Sequence, residues 1–266
     1  MEYLGSIGRL VPLRCASAER VQAAARYVPS VTVEGRRRVQ VVPASPRAWD
    51  VSWGVARPGE VAALAAFASG AWGVGPFHWV PIQAHRGNLL TPREADLMQV
   101  ASGPSWALSG PVLDAAGAWQ GRSLAVSMSS SWGALFANIP VVPGKPVTWA
   151  ADVRGSSSGA LAMAFADSEG AVIGGGRYGA ATPSSTMTRL SMTEVAPPGA
   201  ASVRVGVRPA VTTLTRPQVT WTDGPVPYSA GHGCRSAVVD GFSEDLLVAN
   251  SFGTYSSIGF TVMEVG

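Results

Sequence analysis

The chain carries few side chains of the kind that perform acid–base or metal chemistry. Its histidines are His78, His85 and His232, and its cysteines are Cys15 and Cys234. None of them stands in an H-x-x-x-H, H-E-x-x-H or C-x-x-C arrangement, the spacings that bring two metal ligands together. The sequence therefore predicts no metal site, and we expect no cofactor.

Paired carboxylates, which glycoside hydrolases require, are not evident either. A glycosidase holds two carboxylates about 5–10 Å apart across the scissile bond. The acids nearest the middle strands are Asp152, Asp167 and Glu169, and the last two lie in the segment ADSEGA, which is typical of a solvated turn. We therefore predict no catalytic residues and a protein that is not an enzyme.

The balance of charges gives no reason to expect a nucleic-acid partner. The chain has 20 lysine and arginine residues against 17 aspartate and glutamate residues, a formal net charge of +3. Its densest basic run, GRRRVQ at residues 35–40, contains no aromatic side chain of the kind that stacks on bases. Such a run is typical of a solvated strand edge, where charge discourages pairing with other chains.

The sequence also lacks the signals of a membrane protein. No apolar run approaches the roughly 18 residues that a spanning helix needs. In the opening segment MEYLGSIGRLVPLRC, Glu2 and Arg9 interrupt what would be the apolar core of a signal peptide. We expect no membrane span, and synthesis and folding in the cytoplasm.

The elements that position these residues are predicted to be mainly short β-strands. In 266 residues, 31 glycines and 20 prolines are spread without a period, as turn residues are. The exception is one helix over 58–70, in which Pro58 marks the start, Leu64 lies on an apolar stripe and Gly70 marks the end. Residues 18–28 have apolar positions at helical spacing, but the segment is short and also fits a loop. Around residues 34 and 35, two alternating runs predict a hairpin.

The closing segment predicts the topology. Ile258, Phe260 and Val262 alternate with polar or small residues, the pattern of a half-buried strand. Residues 110–224 already contain enough strands to close a β-sandwich, whereas the region before them has few strands. We therefore predict that the closing hairpin pairs with residues 3–55. The predicted domains are 1–100 (first part of a discontinuous β-domain), 108–226 (inserted jelly-roll sandwich) and 230–266 (closing strands of the first domain).

The two ends of the chain resemble a known family. WDVSW, the helix EVAALAAFASGAWGVGPF, HWVPIQ and NLLTP resemble the N-terminal domain of distal-tail-like minor tail proteins of long-tailed phages of actinobacteria. The ending VVDGFSEDLLVA…YSSIGFTVMEVG resembles the terminal strands of the same proteins. The resemblance implies a ring-forming β-domain to which the closing strand belongs.

The middle of the chain resembles a second family. VPGKPVTWAADVRG and APPGAASVRVGV are similar to a carbohydrate-binding-module jelly roll of the family-4/9 type. Sandwiches of that family that bind sugar present aromatic side chains, and some carry a structural calcium, for which this sequence assigns no ligands. Trp149 lies in an alternating run and is expected in the core. Trp132 and Tyr178 lie in Ser- and Gly-rich surroundings, where they are either carbohydrate-stacking residues or buried loop plugs.

Together the resemblances imply a structural minor tail protein of a phage virion, part of the tail tip or baseplate. The expected partners are further copies of the chain in a threefold or sixfold ring, other phage tail proteins, and a host cell-wall glycan contacted by an outward-projecting jelly roll. Its expected location is the virion tail tip, assembled in the host cytoplasm. The alternative is a dedicated carbohydrate-binding or receptor-adhesion module, and the missing acid pair disfavours a cell-wall hydrolase.

Overall fold

The computed structural model describes residues 1–23, 27–31, 37–41, 46–100, 106–113, 119–127, 132–155, 161–180, 183–250 and 253–265. Across these ranges the elements run in chain order as β1 (Glu2–Ser6), β2 (Arg9–Leu13), β3 (Ala18–Ala23), β4 (Tyr27–Val31), β5 (Arg37–Val41), β6 (Arg47–Ala56), α1 (Pro58–Ala68), β7 (Phe77–Val80), α2 (Ile82–Arg86), α3 (Pro92–Ala95), β8 (Trp106–Leu113), β9 (Trp119–Val126), β10 (Gly133–Pro140), β11 (Pro146–Gly155), β12 (Leu161–Ala166), β13 (Val172–Tyr178), β14 (Thr188–Val195), β15 (Ser202–Val207), β16 (Val211–Thr220), β17 (Cys234–Asn250) and β18 (Gly253–Glu264). The predicted mainly-β fold class is confirmed. No helix in these ranges is both long and apolar enough to cross a bilayer.

The chain divides into two compact units. The first comprises Met1–Leu4, Val11–Trp79 and Arg235–Gly266, and the second comprises Gly5–Leu10 and Val80–Cys234. The first unit is therefore discontinuous in sequence. The predicted domain limits stay predictions, because compactness alone does not establish independent folding. The second unit includes residues 80–100, which the sequence pattern assigned to the first domain.

The predicted pairing of the closing strand is confirmed. A seven-stranded sheet has the order β2-β1-β7-β17-β18-β6-β3, so β18 lies between its hairpin partner β17 and the early strand β6. The alternating apolar side chains of both strands are buried. The opposed pairs of β18 and β6 are Ile258 with Trp53, Phe260 with Val51, and Val262 with Trp49.

A β-bulge changes which face of β6 is buried near its end. The alternation of the sequence predicts Val55 on the same face as Trp53, but Val55 is 53% exposed and Ala56 is buried instead. The pairing of β6 with β18 shifts register between Ile258 and Ser256. The extra residue on β6 reverses the alternation, so Ala56 takes the inward position.

Two other local elements predicted from the sequence, a helix and a hairpin, are confirmed, and a third segment takes a different structure. The helix predicted at Pro58 is α1, whose buried residues are Leu64 and Phe67. The described parts of the segment with helical spacing at 18–28 are instead the strand β3, which pairs along β6, and the start of β4. The predicted hairpin is confirmed by the antiparallel pairing of β4 with β5, while its turn lies outside the described residues.

The second unit contains a sandwich of two sheets. One has the order β10-β15-β12-β13 and the other β14-β11-β16-β9-β8. Trp149 is fully buried between them, which confirms its predicted place in the core. Its indole meets the ring of Phe136 edge-on at 6.3 Å, and its Nε1 donates a hydrogen bond to the carbonyl oxygen of Gly206. A buried indole N–H needs such an acceptor.

The short helices α2 and α3 belong to the second unit because the chain between them is bonded to β16. The backbone N–H of Leu89 donates to the carbonyl of Val219 at 2.7 Å. The fully buried Asn88 donates from its side-chain amide to the carbonyls of Pro217 and Ser229, both at 3.1 Å. These bonds replace the water that the buried amide gives up.

Candidate functional site

The predicted aromatic candidates lie on the four-stranded sheet, and the strand register fixes the face to which Tyr178 belongs. A Cβ atom at Gly179 would contact the side chains of Met192 at 3.4 Å and Leu161 at 3.7 Å, so Gly179 faces the core between the sheets. Successive residues of a strand point to opposite faces. Tyr178, opposite Ala162 on β12, therefore faces outward and is 46% exposed.

The structure brings Trp132 and Tyr178 together at one glycine. A Cβ atom at Gly176 would lie 3.1 Å from the hydroxyl oxygen of Tyr178 and 3.7 Å from Nε1 of Trp132. The two polar atoms of these aromatic side chains thus converge on the same residue. Trp132, directly before β10, is half-buried. The two residues are 46 positions apart in sequence, so only the folding of the sandwich makes them neighbours.

Arg208 completes this group. It directly follows β15, and its guanidinium carbon lies 4.8 Å from the centre of the Tyr178 ring. A cation over an aromatic face is attracted by the quadrupole of the ring. We call Trp132, Gly176, Tyr178 and Arg208 the aromatic site.

A run of glycines keeps one side of the aromatic site open. Gly174, Gly175 and Gly176 are all exposed, and a Cβ atom at Gly175 would meet nothing within 4 Å. Gly174 and Gly175 have φ angles of +69° and +77°, a conformation that favours glycine. A side chain at Gly176 would press against the Tyr178 hydroxyl and the Trp132 indole.

The aromatic site combines groups that suit a polar, ring-shaped ligand. The indole N–H is a donor, the phenol both donates and accepts, and the guanidinium carries five N–H donors with a fixed positive charge. Small-molecule sites typically combine aromatic surface with a few polar groups that fix the orientation of the ligand.

Other residues singled out by the sequence do not converge. His85 stacks on Trp221 with ring centroids 5.5 Å apart, and His78 lies on β7 in the other unit. Burial and the nearby Arg235 lower the pKa of His78 to about 4. Within the described ranges, no three His, Cys, Asp or Glu side chains gather as metal ligands would.

The acids considered for glycoside hydrolysis are committed to other contacts. Asp167 accepts hydrogen bonds from the backbone N–H groups of Glu169 at 3.1 Å and Ala171 at 2.8 Å, as the predicted turn requires. Asp152 is buried on the five-stranded sheet, where it pairs with Arg189 and with Arg216. Both arginines also lie over the ring of Tyr228, at 5.6 and 5.8 Å.

Arg208 and Gly176 were not predicted from the sequence, although the alternation along β15 contained a signal for Arg208. In SVRVGVR, the valines at 203, 205 and 207 are buried and the arginines at 204 and 208 are partly exposed. A strand with one apolar face predicts this division. The proximity of Arg208 to Tyr178 was not predictable, because it depends on how β15 and β13 align with the strand between them.

Comparisons with known proteins give weak matches. No protein-family model matches the chain, and no curated relative matches it. The solved structures that match include the enzymatically active domain of tailspike protein 4 of bacteriophage CBA120, at 13% identity and a TM-score of 0.36, over 51% of this chain and 21% of that one. The chain thus spans about a fifth of that domain.

Two further matches contain carbohydrate-binding modules. The CBM22-1–GH10 modules of Clostridium thermocellum xylanase 10B, complexed with xylohexaose, match at 16% identity and a TM-score of 0.29, over 48% of this chain and 27% of that one. The CBM22-1–CBM22-2 tandem of Paenibacillus barcinonensis Xyn10C matches at 12% identity and a TM-score of 0.30, over 59% and 57%. Scores at this level carry no argument about family or function.

Proposed function

We propose that this chain is a structural minor tail protein of a phage virion, forming part of the tail tip or baseplate through contacts between copies of its first unit. The proposal rests on the resemblance of its two ends to distal-tail-like proteins and on one feature of the structure. That feature is an exposed apolar end of the β17–β18 hairpin.

The hairpin extends past its neighbour in the sheet. The pairing of β18 with β6 ends where Ser256 faces Ala56, whereas the pairing of β17 with β18 continues to Asn250 opposite Gly253. We call residues 246–250 and 253–255 the hairpin arm. A two-stranded ribbon has little stability of its own unless its side chains are covered.

Three consecutive side chains of the hairpin arm are apolar and exposed. Leu246 is 64% exposed, and Leu247 and Val248 are each 49% exposed. A register shift between Leu246 and Val248 interrupts the alternation of side chains between the two faces of the hairpin, so three consecutive apolar side chains are exposed to solvent. Contiguous exposed apolar surface is typical of protein–protein contact sites.

A ring of identical copies suits such an arm. In a cyclic assembly each copy offers one surface to the next and a different surface to the previous one, and the contacts close after a fixed number of copies. An arm that is apolar on consecutive residues is covered when it inserts against the next copy. We expect a threefold or sixfold ring, joined to other tail proteins at the tail tip of a virion assembled in the host cytoplasm.

The decisive measurement is the mass of the particle, by native mass spectrometry or mass photometry, together with a trace of this chain in images of virions. The double variant Leu246→Glu, Val248→Glu should convert the ring to monomers that keep the circular dichroism spectrum of the wild type. Val172→Glu, at a residue that is 48% exposed on β13, is the matched control and should leave the ring intact. A wild-type chain that is monomeric both alone and in virions contradicts the proposal.

The aromatic site favours a second role, contact with a host cell-wall glycan. If the chain forms a ring, this role is added to the structural one, and the jelly roll projects outward from the ring. If it forms no ring, the alternative function is that of a dedicated carbohydrate-binding or receptor-adhesion module. Binding of the wild type to host cell walls, lost in Trp132→Ala, supports the role. A monomer that binds glycan favours the adhesion module over the tail-tip protein.

A further inference from the structure

A groove beside the start of α1 has the size and lining to accept apolar side chains. Its volume is about 360 Å³, and all of its lining residues belong to the first unit. The apolar part of the lining comes from β2 and α1, with Val11, Pro12, Leu13, Gly59 and Ala63. A void of about 150 Å³ already holds a benzene ring. This groove, which we call the α1 groove, therefore has room for more than one aliphatic side chain.

The α1 groove and the hairpin arm carry opposite charges. Arg14 and Arg57 line the groove with a single acid, Glu60, so the cationic side chains are in excess. Glu60 pairs with Arg14 at 2.6 Å, and Arg57 is exposed. The exposed Glu244 and Asp245 directly precede the arm, and neither strand of the arm carries a lysine or an arginine. Opposite charges beside two apolar surfaces favour their association in one orientation.

The arm is long enough to reach a neighbouring copy. At a rise of about 3.4 Å per residue, its five residues on β17 span about 15 Å. The groove borders β2, which is an edge strand of the seven-stranded sheet. Pro12 of this strand has no N–H group with which to bond a further strand. We therefore expect the arm to be held by its side chains and not as an eighth strand of the sheet.

We propose that the hairpin arm of one copy inserts the side chains of Leu246, Leu247 and Val248 into the α1 groove of the next copy. This inference rests on the proposed ring and names the surface with which each copy accepts its neighbour. Arm and groove are different surfaces of the first unit, as a contact between successive copies of a ring requires. Burial of three side chains that are 49–64% exposed supplies the apolar driving force. The acidic residues before the arm then lie near Arg57.

A native cysteine next to the α1 groove allows the contact to be tested by cross-linking. Cys15 is exposed, and its Sγ lies 3.1 Å from the terminal nitrogen of Met1, which lines the groove. The other cysteine, Cys234, is buried. The full-length variant Leu247→Cys should therefore be linked between copies, by mild oxidation or by a short bismaleimide, into a ladder of multimers on denaturing gels. Val172→Cys, exposed on β13, is the matched control and should give no ladder.

A second cysteine variant identifies the partner of the introduced thiol. Adding Cys15→Ser to Leu247→Cys should abolish the ladder, because no exposed thiol then remains beside the α1 groove. A ladder that persists would show that the arms meet each other, and would overturn the inference. Mass spectrometry of linked peptides, from a mixture of isotopically light and heavy copies, shows whether the two cysteines belong to different chains. A link formed only within one chain also overturns the inference.

Filling the α1 groove should weaken the same contact from the other side. A Cβ atom at Gly59 would meet nothing within 4 Å, so Gly59→Trp adds a large side chain to the lining of the groove without displacing a neighbour. We expect the dissociation constant of the ring, from mass photometry over a dilution series, to rise at least about tenfold. Ala62→Trp, at an exposed position of α1 outside the groove, is the matched control. Circular dichroism melting of both variants shows that the fold is retained.

Exchanging the charges tests the orientation of the arm. Arg57→Glu and Asp245→Arg should each raise the dissociation constant about fivefold, since each places like charges together. Their combination restores opposite charges and should return the constant towards the wild-type value, most clearly at low salt. A combined variant that is weaker than either single variant overturns the placement of the acidic residues near Arg57.

The outcomes separate this inference from the proposed ring. A ladder that requires Cys15, together with a weakened ring in Gly59→Trp and an unchanged one in Ala62→Trp, supports the inference. Either result without the other overturns it. A ring of wild-type mass and stability in Gly59→Trp, with no ladder in Leu247→Cys, overturns the inference and keeps the ring, which a different surface then joins. A wild-type chain that is monomeric both alone and in virions overturns both.

Discussion

Phe260 stacks on Trp53, with ring centroids 5.3 Å apart and ring planes inclined by 17°. The same phenyl ring meets Trp79 edge-on at 6.4 Å. One residue of the closing strand thus joins two earlier strands, β6 and β7, in a single aromatic cluster. The cluster ties the closing hairpin to the segment that precedes the sandwich, and so it closes the discontinuous unit.

Replacing Phe260 by alanine should destabilise this unit. The phenyl ring is buried, and removing a buried phenylalanine typically costs about 3–5 kcal/mol through lost transfer free energy and the cavity left behind. Denaturant unfolding followed by tryptophan fluorescence measures the loss. Thr254→Ala, at an exposed position of the same strand, should change stability by less than about 0.5 kcal/mol. Equal effects of the two changes would contradict the role of the cluster.

Glu2 should make stability fall as the pH rises. Burial, and the neighbouring Glu19, raise the pKa of Glu2 from 4.5 to about 7, and its Oε2 has no hydrogen-bond partner among the described residues. The folded state therefore holds this proton more tightly than the unfolded state, so the stabilising effect is complete below pH 4.5 and is lost as the pH rises to 7.

The variant Glu2→Gln should remove that dependence. At pH 8 we expect it to be more stable than the wild type by about 2 kcal/mol, and at pH 4.5 nearly equal to it. Melting temperatures at pH 4.5, 6, 7 and 8 measure the difference between the two proteins, which isolates Glu2 from the opposite dependence of His78. Glu169→Gln, at an exposed turn, is the control. A constant difference across the four pH values would refute the assignment.

Asp152→Asn should destabilise the second unit. The carboxylate is buried and pairs with Arg189 and Arg216, so its loss leaves two partly buried guanidinium groups without their shared counter-ion. Because both arginines keep some contact with water, we expect a cost of about 2 kcal/mol, below the range for a fully buried pair. Asp223→Asn removes the same charge at an exposed site and should be nearly neutral. The free energy of unfolding, compared between the two variants, checks this.

Gly206→Ala should disrupt the four-stranded sheet. A Cβ atom there would lie 1.8 Å from the carbonyl oxygen of Gly133, a backbone atom that cannot rotate away. We expect a loss of at least about 3 kcal/mol, because relief requires β10 and β15 to move apart. Gly59→Ala, in α1 with nothing within 4 Å, should instead stabilise by up to about 1 kcal/mol. Thermal melts of both variants measure the contrast.

The sequence alone determined the local elements. Alternation placed Ile258, Phe260 and Val262 on a buried face, and the run from Pro58 to Gly70 marked a helix, because both patterns depend on residues close in the chain. The number of strands already available to the sandwich was enough to predict that the closing strand pairs elsewhere, although the region before the sandwich contains more strands, β1–β7, than the sequence suggested.

Tertiary structure decided what depends on distant residues. The bulge that buries Ala56 in place of Val55 arises from the register with β18, and the position of residues 80–100 arises from buried hydrogen bonds made by Asn88. The meeting of Trp132 and Tyr178 at Gly176 likewise depends on the alignment of the strands of one sheet. A period-two pattern states which face a side chain takes, but not which side chain of another strand lies beside it, because the register between strands is set by the packing of the whole sheet.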